Sequence, residues 1–212
     1  MLKKANTFQF VLTALFLGIM ILLASVPFLG FIPIGPLNAT TMHIPVIIGS
    51  IVLGPRIGAL LGGSFGIISL IRATTMPSAL SFVFSPFIPV IGTNHGSWKA
   101  LIVVLIPRIL IGIVPYYVYQ LCQKGLKNKV QPISLFIAGL SGGLTNTILV
   151  MNFIYFLFQK DYAQVIGKGG HAVYAAVNAV ILTQGIPEAI VAGVFTSAVA
   201  AILLKLMKKQ TN

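Results

Sequence analysis

The sequence from residue 43 to 72, HIPVIIGSIVLGPRIGALLGGSFGIISLIR, constrains the fold most. Two apolar runs meet at Leu53-Gly54-Pro55-Arg56, which predicts two helices joined by a very short turn. The second run carries Gly58, Gly62 and Gly66, each four residues from the last. Glycines at this spacing lie close to one helix face, where the backbone of a neighbouring helix can come very near. A turn that ends in a lone arginine is typical of a cytoplasmic connection between two membrane helices.

The composition is that of a protein embedded in lipid. Hydrophobic residues make up 57% of the 212 residues and charged residues only 8%, against about 25% charged residues in a soluble domain. Fourteen Lys and Arg face two acids, Asp161 and Glu188, which gives a formal net charge of +12. The basic residues are scattered at the ends of segments, so anionic lipid head groups explain the charge better than nucleic acid does. With a single cysteine, Cys122, an internal disulfide is impossible.

The apolar runs predict an all-α integral membrane protein, with six transmembrane helices in one compact bundle that forms a single membrane domain over residues 1–212. The predicted helices cover about 8–26, 40–53, 56–71, 98–122, 133–158 and 186–207. The second, with some 14 residues, is only about 21 Å long and short for a full span. Three long loops rich in Pro and Gly are expected over 27–42, 72–97 and 159–183.

The distribution of Lys and Arg predicts that both termini are cytoplasmic. Nine of these residues lie on the side that holds both termini: Lys3, Lys4, Arg56, Lys124, Lys127, Lys129, Lys205, Lys208 and Lys209. Four lie on the other side: Arg72, Lys99, Lys160 and Lys168. An even number of helices agrees with this arrangement. The three long loops then face outward, where a solute would be captured.

The sequence offers no catalytic centre. There is no GxxxxGK[ST] phosphate-binding loop, no HExxH motif and no pair of carboxylates. His43, His95 and His171 are far apart without the spacing of metal ligands, so neither a metal nor another cofactor is expected. The polar residues of the predicted helices suit binding rather than bond cleavage.

Arg108 is the leading candidate for a binding residue. It lies nine residues after Lys99, which is about 14 Å down helix four from its outer end. An unpaired arginine at such depth costs at least about 2.5 kcal/mol, so a role for it is expected. Glu188, about 5 Å below the outer face by the same count, does not favour a pair with it. Two roles remain open for Arg108: a structural bond, or a contact with an anionic substrate.

Other candidates lie at the outer ends of helices. Trp98, with Asn94 and His95, stands at the start of helix four, either as an interfacial anchor or as a pocket wall. Arg72, at the outer end of helix three, either steers an anion or extends to the lipid head groups.

Two asparagines and one pair of small residues complete the candidates. Asn146 and Asn152 of helix five do not share a face, and at least one should point inward because an amide in lipid is costly. Each either bonds a neighbouring helix or contacts substrate. Ala14 and Gly18 of helix one, four residues apart, either pack within the bundle or dock another membrane protein.

With these residues in view, the chain resembles the substrate-binding membrane subunits (S components) of energy-coupling-factor vitamin transporters. The resemblance covers nearly the whole chain and includes LGPRIGALLGGSFG and the ending GIPEAIVAGVFTSAVAAILLK. Ala14 and Gly18 look like the family's AxxxA docking motif, with Gly in place of the second Ala. The segments SLIRATTMPSALSFVFSPFIP and GSWKALIVVLIPRILIGIVPYYVY look most like the pantothenate-specific members.

The resemblance implies a division of labour. This subunit would capture a vitamin at the outer face of the bacterial plasma membrane, and a membrane scaffold with two ATPase subunits would supply the energy. Arg72, Asn94, His95, Trp98, Arg108, Asn146 and Asn152 would hold the vitamin. Pantothenate, an anion with an amide and two hydroxyls, suits these groups. Folate, also anionic, remains an alternative, as does a membrane scaffold or assembly protein that binds no solute.

Overall fold

The computed structural model describes residues 2–26, 29–34, 37–125, 131–169 and 171–211. Within these ranges the side chains of residues 2–6, 31–39 and 208–211 are not described. The expected loop residues Pro27 and Pro36 therefore lie outside the described residues, as do Lys127 and Lys129 from the count of basic residues.

The described part of the chain is almost entirely helical. Its elements are α1 (Leu2–Ser25), β1 (Phe31–Ile34), β2 (Leu37–Thr40), α2 (His43–Leu53), α3 (Pro55–Thr75), a 3-10 turn (Ser81–Val83), α4 (Lys99–Ile111), α5 (Val114–Gly125), α6 (Gln131–Ile166), α7 (His171–Val180), a π-helical turn (Ile181–Gly185) and α8 (Ile186–Thr211). Five helical stretches of the described chain are long and apolar enough to cross a membrane. Together with the shorter apolar helix α2 they account for the six predicted helices.

The central turn is confirmed. α2 ends at Leu53 and α3 begins at Pro55, with only Gly54 between them. Gly54 has a φ of +94°, which favours glycine because a side chain would be strained there. Pro55 takes the first helical position, where its missing N–H costs nothing.

α2 lies in the middle of the bundle. Ten of its eleven residues are buried, and it packs against α1, α3, α5, α6 and α8. A helix that is apolar on all sides is stable when protein surrounds it on all sides. The short second helix therefore needs no full membrane span, because its surroundings are other helices and not lipid.

The glycine face of α3 makes the predicted close approach. The backbone carbonyl of Gly112 lies against Gly58, that of Arg108 against Gly62, and that of Val104 against Gly66. A side chain at Gly58 or Gly62 would overlap the backbone of the chain opposite. α4 can therefore sit directly on α3.

α6 and α8 pack through small residues in the same way. A Cβ at Gly143 would lie 2.7 Å from Cα of Ala189, and one at Gly139 would lie 2.8 Å from the carbonyl oxygen of Ala192. Ser197 adds a 3.0 Å hydrogen bond to the Pro132 carbonyl oxygen. This contact sets the distance between the two helices that carry several residues of the site described below.

The predicted secondary structure was wrong in three segments. Residues 27–42 contain an antiparallel hairpin of β1 and β2 rather than only loop. Helix four is two helices, since Pro115 has no N–H for the Ile111 carbonyl and the chain turns at Gly112 and Ile113. The expected loop 159–183 is mostly helical: α6 passes a kink at Phe158 and continues to Ile166, and helix is regained at His171. The interhelical packing of apolar residues such as Tyr162, Val173 and Val177 outweighs the polar composition there.

The close approach at Gly62 gives a stability prediction. Gly62→Ala should destabilise the protein by about 1–3 kcal/mol, because its new methyl group overlaps the backbone of α4. Gly63→Ala is the matched control: its nearest neighbour would be Ile109 Cγ1 at 4.0 Å, so the change should be neutral or stabilise by up to about 1 kcal/mol. Thermal unfolding of both variants in one detergent measures the difference, and equal melting temperatures would contradict the packing described.

Candidate functional site

A cavity opens among α4, α6, the π-helical turn, α8 and the end of β2. Part of this space is open to solvent at its mouth. Its wall combines two charged groups, four polar ones and several apolar ones: Thr40, Phe84, Arg108, Asn146, Thr147, Val150, Met151, Val180, Gln184 and Glu188. Cavities of this kind, apolar with a few convergent polar groups, are typical of small-molecule sites.

The position of Arg108 in this wall depends on a missing backbone hydrogen bond next to it in the sequence. Pro107 has no N–H, so the Val103 carbonyl four residues earlier loses its helical hydrogen bond. The Arg108 Nη1 donates a 2.9 Å hydrogen bond to that carbonyl oxygen. The dipeptide Pro107-Arg108 therefore both breaks a backbone bond and replaces it, which fixes the guanidinium near the helix.

Two aromatic rings and the helix end stabilise the charge of Arg108. Its Cζ lies 5.5 Å from the centre of the Phe65 ring and 5.2 Å from that of Phe84, and a desolvated cation gains about 2 kcal/mol from such a contact. Arg108 also stands in the last turn of α4, where the helix dipole favours a positive charge. The side chain is only 6% exposed, and its Nε–H has no hydrogen-bond acceptor.

A second proline places the second charged residue. Pro187 cannot donate to the Thr183 carbonyl, and just before it the helix opens into a π-helical turn in which the Ile186 N–H donates to the Ile181 carbonyl. π-helical turns are frequent at functional sites. This turn and the start of α8 contribute Gln184 and Glu188 to the cavity wall.

Arg108 and Glu188 attract each other electrostatically across the cavity wall. The described hydrogen bonds of Arg108 do not include Glu188, so the two charges share the cavity without forming a direct pair. The count of residues along the helices had placed them at different depths. It used backbone positions alone, and these two long side chains reach the same cavity nevertheless.

Asn146 stands on the α6 side of the cavity. It is 6% exposed, and its Oδ1 has no hydrogen-bond donor. Gly143, in the turn below, contacts Ala189, and Gly185 lies against Thr147. These close contacts bring Asn146 and Thr147 towards the π-helical turn. Two residues of the cavity wall thus keep a buried polar atom without a partner: the Nε–H donor of Arg108 and the Oδ1 acceptor of Asn146.

Comparison with known proteins decides the family. The model of the substrate-specific component of ECF transporters matches residues 8–203. The pantothenic acid transporter PanT of Lactococcus lactis subsp. cremoris is 36% identical over 96% of this chain and 97% of its own length. The pantothenate transporter PanT of Leuconostoc mesenteroides subsp. mesenteroides is 26% identical over 98% of both chains.

The chain belongs to the ECF transporter substrate-specific components. It is therefore a transporter subunit and not an enzyme. The family and the apolar helices together make it a multi-pass membrane protein.

Of the seven residues predicted to bind substrate, Arg108 and Asn146 line this cavity. Asn152 does not, and its Nδ2 donates a 2.7 Å hydrogen bond to the Ile148 carbonyl of its own helix. Arg72 lies in a separate groove between α1 and α3, where its Nη1 is 3.4 Å from the Ala24 carbonyl oxygen.

The three candidates before α4 are not part of the cavity wall either. Trp98 is 72% exposed, and Asn94 and His95 are exposed. His95 lines a different surface cavity together with Lys99 and Asp161. In this substrate-specific component the structure therefore separates the outer loop residues from the cavity of Arg108 and Asn146.

Ala14 and Gly18 lie on the outer face of α1. Ala14 is exposed, and a Cβ built at Gly18 would meet no atom within 4 Å. The opposite face of α1 carries Leu12, Phe16 and Met20 into the core. The small pair is therefore not used for packing within the described chain.

Sequence reasoning missed several residues of the cavity. Thr40 belongs to a hairpin that was expected to be loop, and Phe84 follows a 3-10 turn inside a long irregular segment. Thr147, next to Asn146, was not among the predicted residues. One pattern in the sequence could have identified both charged residues of the wall. A proline within a helix is followed directly by a charged residue in Pro107-Arg108 and again in Pro187-Glu188.

The replacement of a backbone bond by Arg108 can be tested by a double-mutant cycle. Arg108→Ala should destabilise the protein by about 1–3 kcal/mol, because the Val103 carbonyl loses its donor. Adding Pro107→Ala supplies a backbone N–H for the same carbonyl, so we expect the double variant to recover part of the loss. The coupling energy should exceed about 0.5 kcal/mol.

Unfolding of the four proteins in one detergent measures this coupling. Pro115→Ala, at the other proline of this region, serves as the control and should be additive with Arg108→Ala. Additivity of Pro107→Ala and Arg108→Ala would show that the guanidinium does not replace the missing N–H.

Proposed function

We propose that this protein captures pantothenate at the outer face of the bacterial cell membrane and delivers it across as the substrate-specific component of an ATP-driven ECF transporter. The names of its relatives in Lactococcus and Leuconostoc support the vitamin. The observation that carries the proposal is the buried Arg108, which lines a cavity beside Asn146 and keeps an unpaired donor.

The chemistry of the cavity suits this ligand. A carboxylate would accept charge-assisted hydrogen bonds from the guanidinium of Arg108, which are about twice as strong as neutral ones. The buried Oδ1 of Asn146 has no donor within the described chain, so an amide N–H or a hydroxyl of the ligand would satisfy it. Apolar walls, among them Val150, Met151 and Phe84, suit its methyl groups. A buried arginine without an acidic hydrogen-bond partner is satisfied best when an anion arrives.

The mouth of the cavity would face outward. The distribution of Lys and Arg supports cytoplasmic termini, and the hairpin that ends at Thr40 would then belong to the outer side with the segment before α4. Thr40 anchors the base of the hairpin, where its Oγ1 donates a 3.0 Å hydrogen bond to the Gly30 carbonyl.

The energy for transport would come from other chains. Members of this family work with a membrane scaffold and ATPases, and the exposed Ala14 and Gly18 of α1 form the proposed contact with the scaffold. Small residues permit close approach of a partner helix within the bilayer. Here the open space above Gly18 supports that role.

Binding is the first test. Purified protein should melt at a higher temperature with pantothenate present, since a ligand at 100 times its Kd stabilises by about 2.7 kcal/mol. Arg108→Ala should lower the affinity at least about tenfold, because the loss of one charge-assisted bond costs about 1.5–3 kcal/mol. Isothermal titration of the purified proteins gives both affinities.

Arg72→Ala is the matched control for this test. It removes another half-buried arginine that lies outside the cavity, so pantothenate affinity should be unchanged. If Arg72→Ala lost affinity and Arg108→Ala did not, the carboxylate of pantothenate would be bound by Arg72 and the proposed role of Arg108 would be wrong. Tight binding of folate without pantothenate binding would reject the proposed vitamin.

Docking is tested separately from binding. Ala14→Trp should leave pantothenate affinity unchanged and abolish ATP-dependent uptake in vesicles that also contain the scaffold and ATPases, because the bulky ring blocks close approach to α1. Ala198→Trp, at an exposed position of α8, is the control and should transport normally. Normal uptake by Ala14→Trp would remove this face from the docking surface.

A further inference from the structure

A carboxylate in the wall of a site for an anion requires an explanation. Glu188 is half-buried at the start of α8 and lines the same cavity as Arg108. It would repel the carboxylate of pantothenate, so it cannot serve the same end of the ligand as Arg108. A role in recognising a different part of the ligand resolves this conflict.

The contacts of Glu188 leave it able to accept hydrogen bonds. The backbone N–H of Thr40, at the end of β2, and the guanidinium of Arg108 both attract its carboxyl group, and the described hydrogen bonds of Arg108 do not include it. The two carboxyl oxygens have more lone-pair sites than these neighbours use, so several remain. Groups that suit these sites are donors, such as hydroxyls.

We infer that Glu188 is the residue that selects ligands bearing hydroxyl groups, and that it thereby orients the vitamin with its carboxylate at Arg108. The inference rests on the proposed function. The free Oδ1 of Asn146 adds a second acceptor to the same wall. One donor region and one acceptor region thus correspond to the acid and the hydroxyl parts of pantothenate.

This arrangement also rejects unsuitable anions. A ligand without hydroxyls would leave the buried acceptors unpaired, which sites of this type penalise strongly. A phosphate ester on the primary hydroxyl would bring further negative charge to Glu188 and be repelled. The protein would then accept the free vitamin and exclude its phosphorylated form.

The main test compares two ligands on three proteins by isothermal titration. The ligands are pantothenate and an analogue in which both hydroxyls are replaced by hydrogen. We expect Glu188→Gln to bind pantothenate at least tenfold more weakly than the unchanged protein does, and to bind the analogue equally well. Retained binding of the analogue also shows that the variant is folded.

Asp161→Asn is the matched control, since it converts the other acid of the chain and lies at a different surface cavity. It should bind both ligands as the unchanged protein does. A third ligand, pantothenate phosphorylated on its primary hydroxyl, should gain affinity in Glu188→Gln relative to pantothenate.

Two results would overturn the inference while the proposed function stands. The unchanged protein binds pantothenate, but Glu188→Gln either keeps full affinity or loses the same factor for both ligands. If the unchanged protein does not bind pantothenate at all, the proposed function fails and the inference fails with it.

Discussion

A proline inside a membrane helix leaves a carbonyl without its donor, and the cavity depends on how this chain repairs that defect. No water reaches the hydrocarbon core, so each backbone group must find a partner within the protein. At Pro107 the partner is the next side chain, whose guanidinium bonds the Val103 carbonyl. The same bond that satisfies the backbone holds the positive charge of Arg108 at the cavity wall.

Small residues set the width of that cavity. Gly62 allows the backbone of Arg108 to lie against α3, which keeps the start of the guanidinium side chain at a fixed distance from the core. On the opposite side Gly143 lies against Ala189, the residue after Glu188, and Gly185 lies against Thr147. Interfaces of this kind have no flexible side chains between the backbones. The charged groups are therefore attached to rigidly spaced helices.

The sequence predicted the six helices, the turn at Gly54 and the glycine face of α3, because apolar length and the spacing of small residues determine them directly. It also singled out Arg108 and Asn146, whose burial in an apolar run demands a partner. It did not predict that Glu188 joins them, nor the contribution of Thr40 and Phe84. Those depend on a hairpin, a π-helical turn and an irregular segment, which arise from tertiary packing and have weak local patterns. Trp98, Asn94 and His95 were selected as loop residues, yet nothing in their local sequence indicates that they lie outside the cavity wall.

The two surfaces of the protein meet opposite requirements. The cavity presents charged and polar groups whose positions are fixed by prolines and close helix contacts, which is what discrimination between similar solutes needs. The outer face of α1 presents Ala14 and Gly18, which are small, uncharged and exposed. Between them lies the buried α2, which packs against α1, α6 and α8. Because α1 contributes no residue to the described cavity wall, a partner docked on its outer face would not contact the proposed ligand site. In the proposed role this separation would let a family of subunits with different cavities use one common energy-supplying partner.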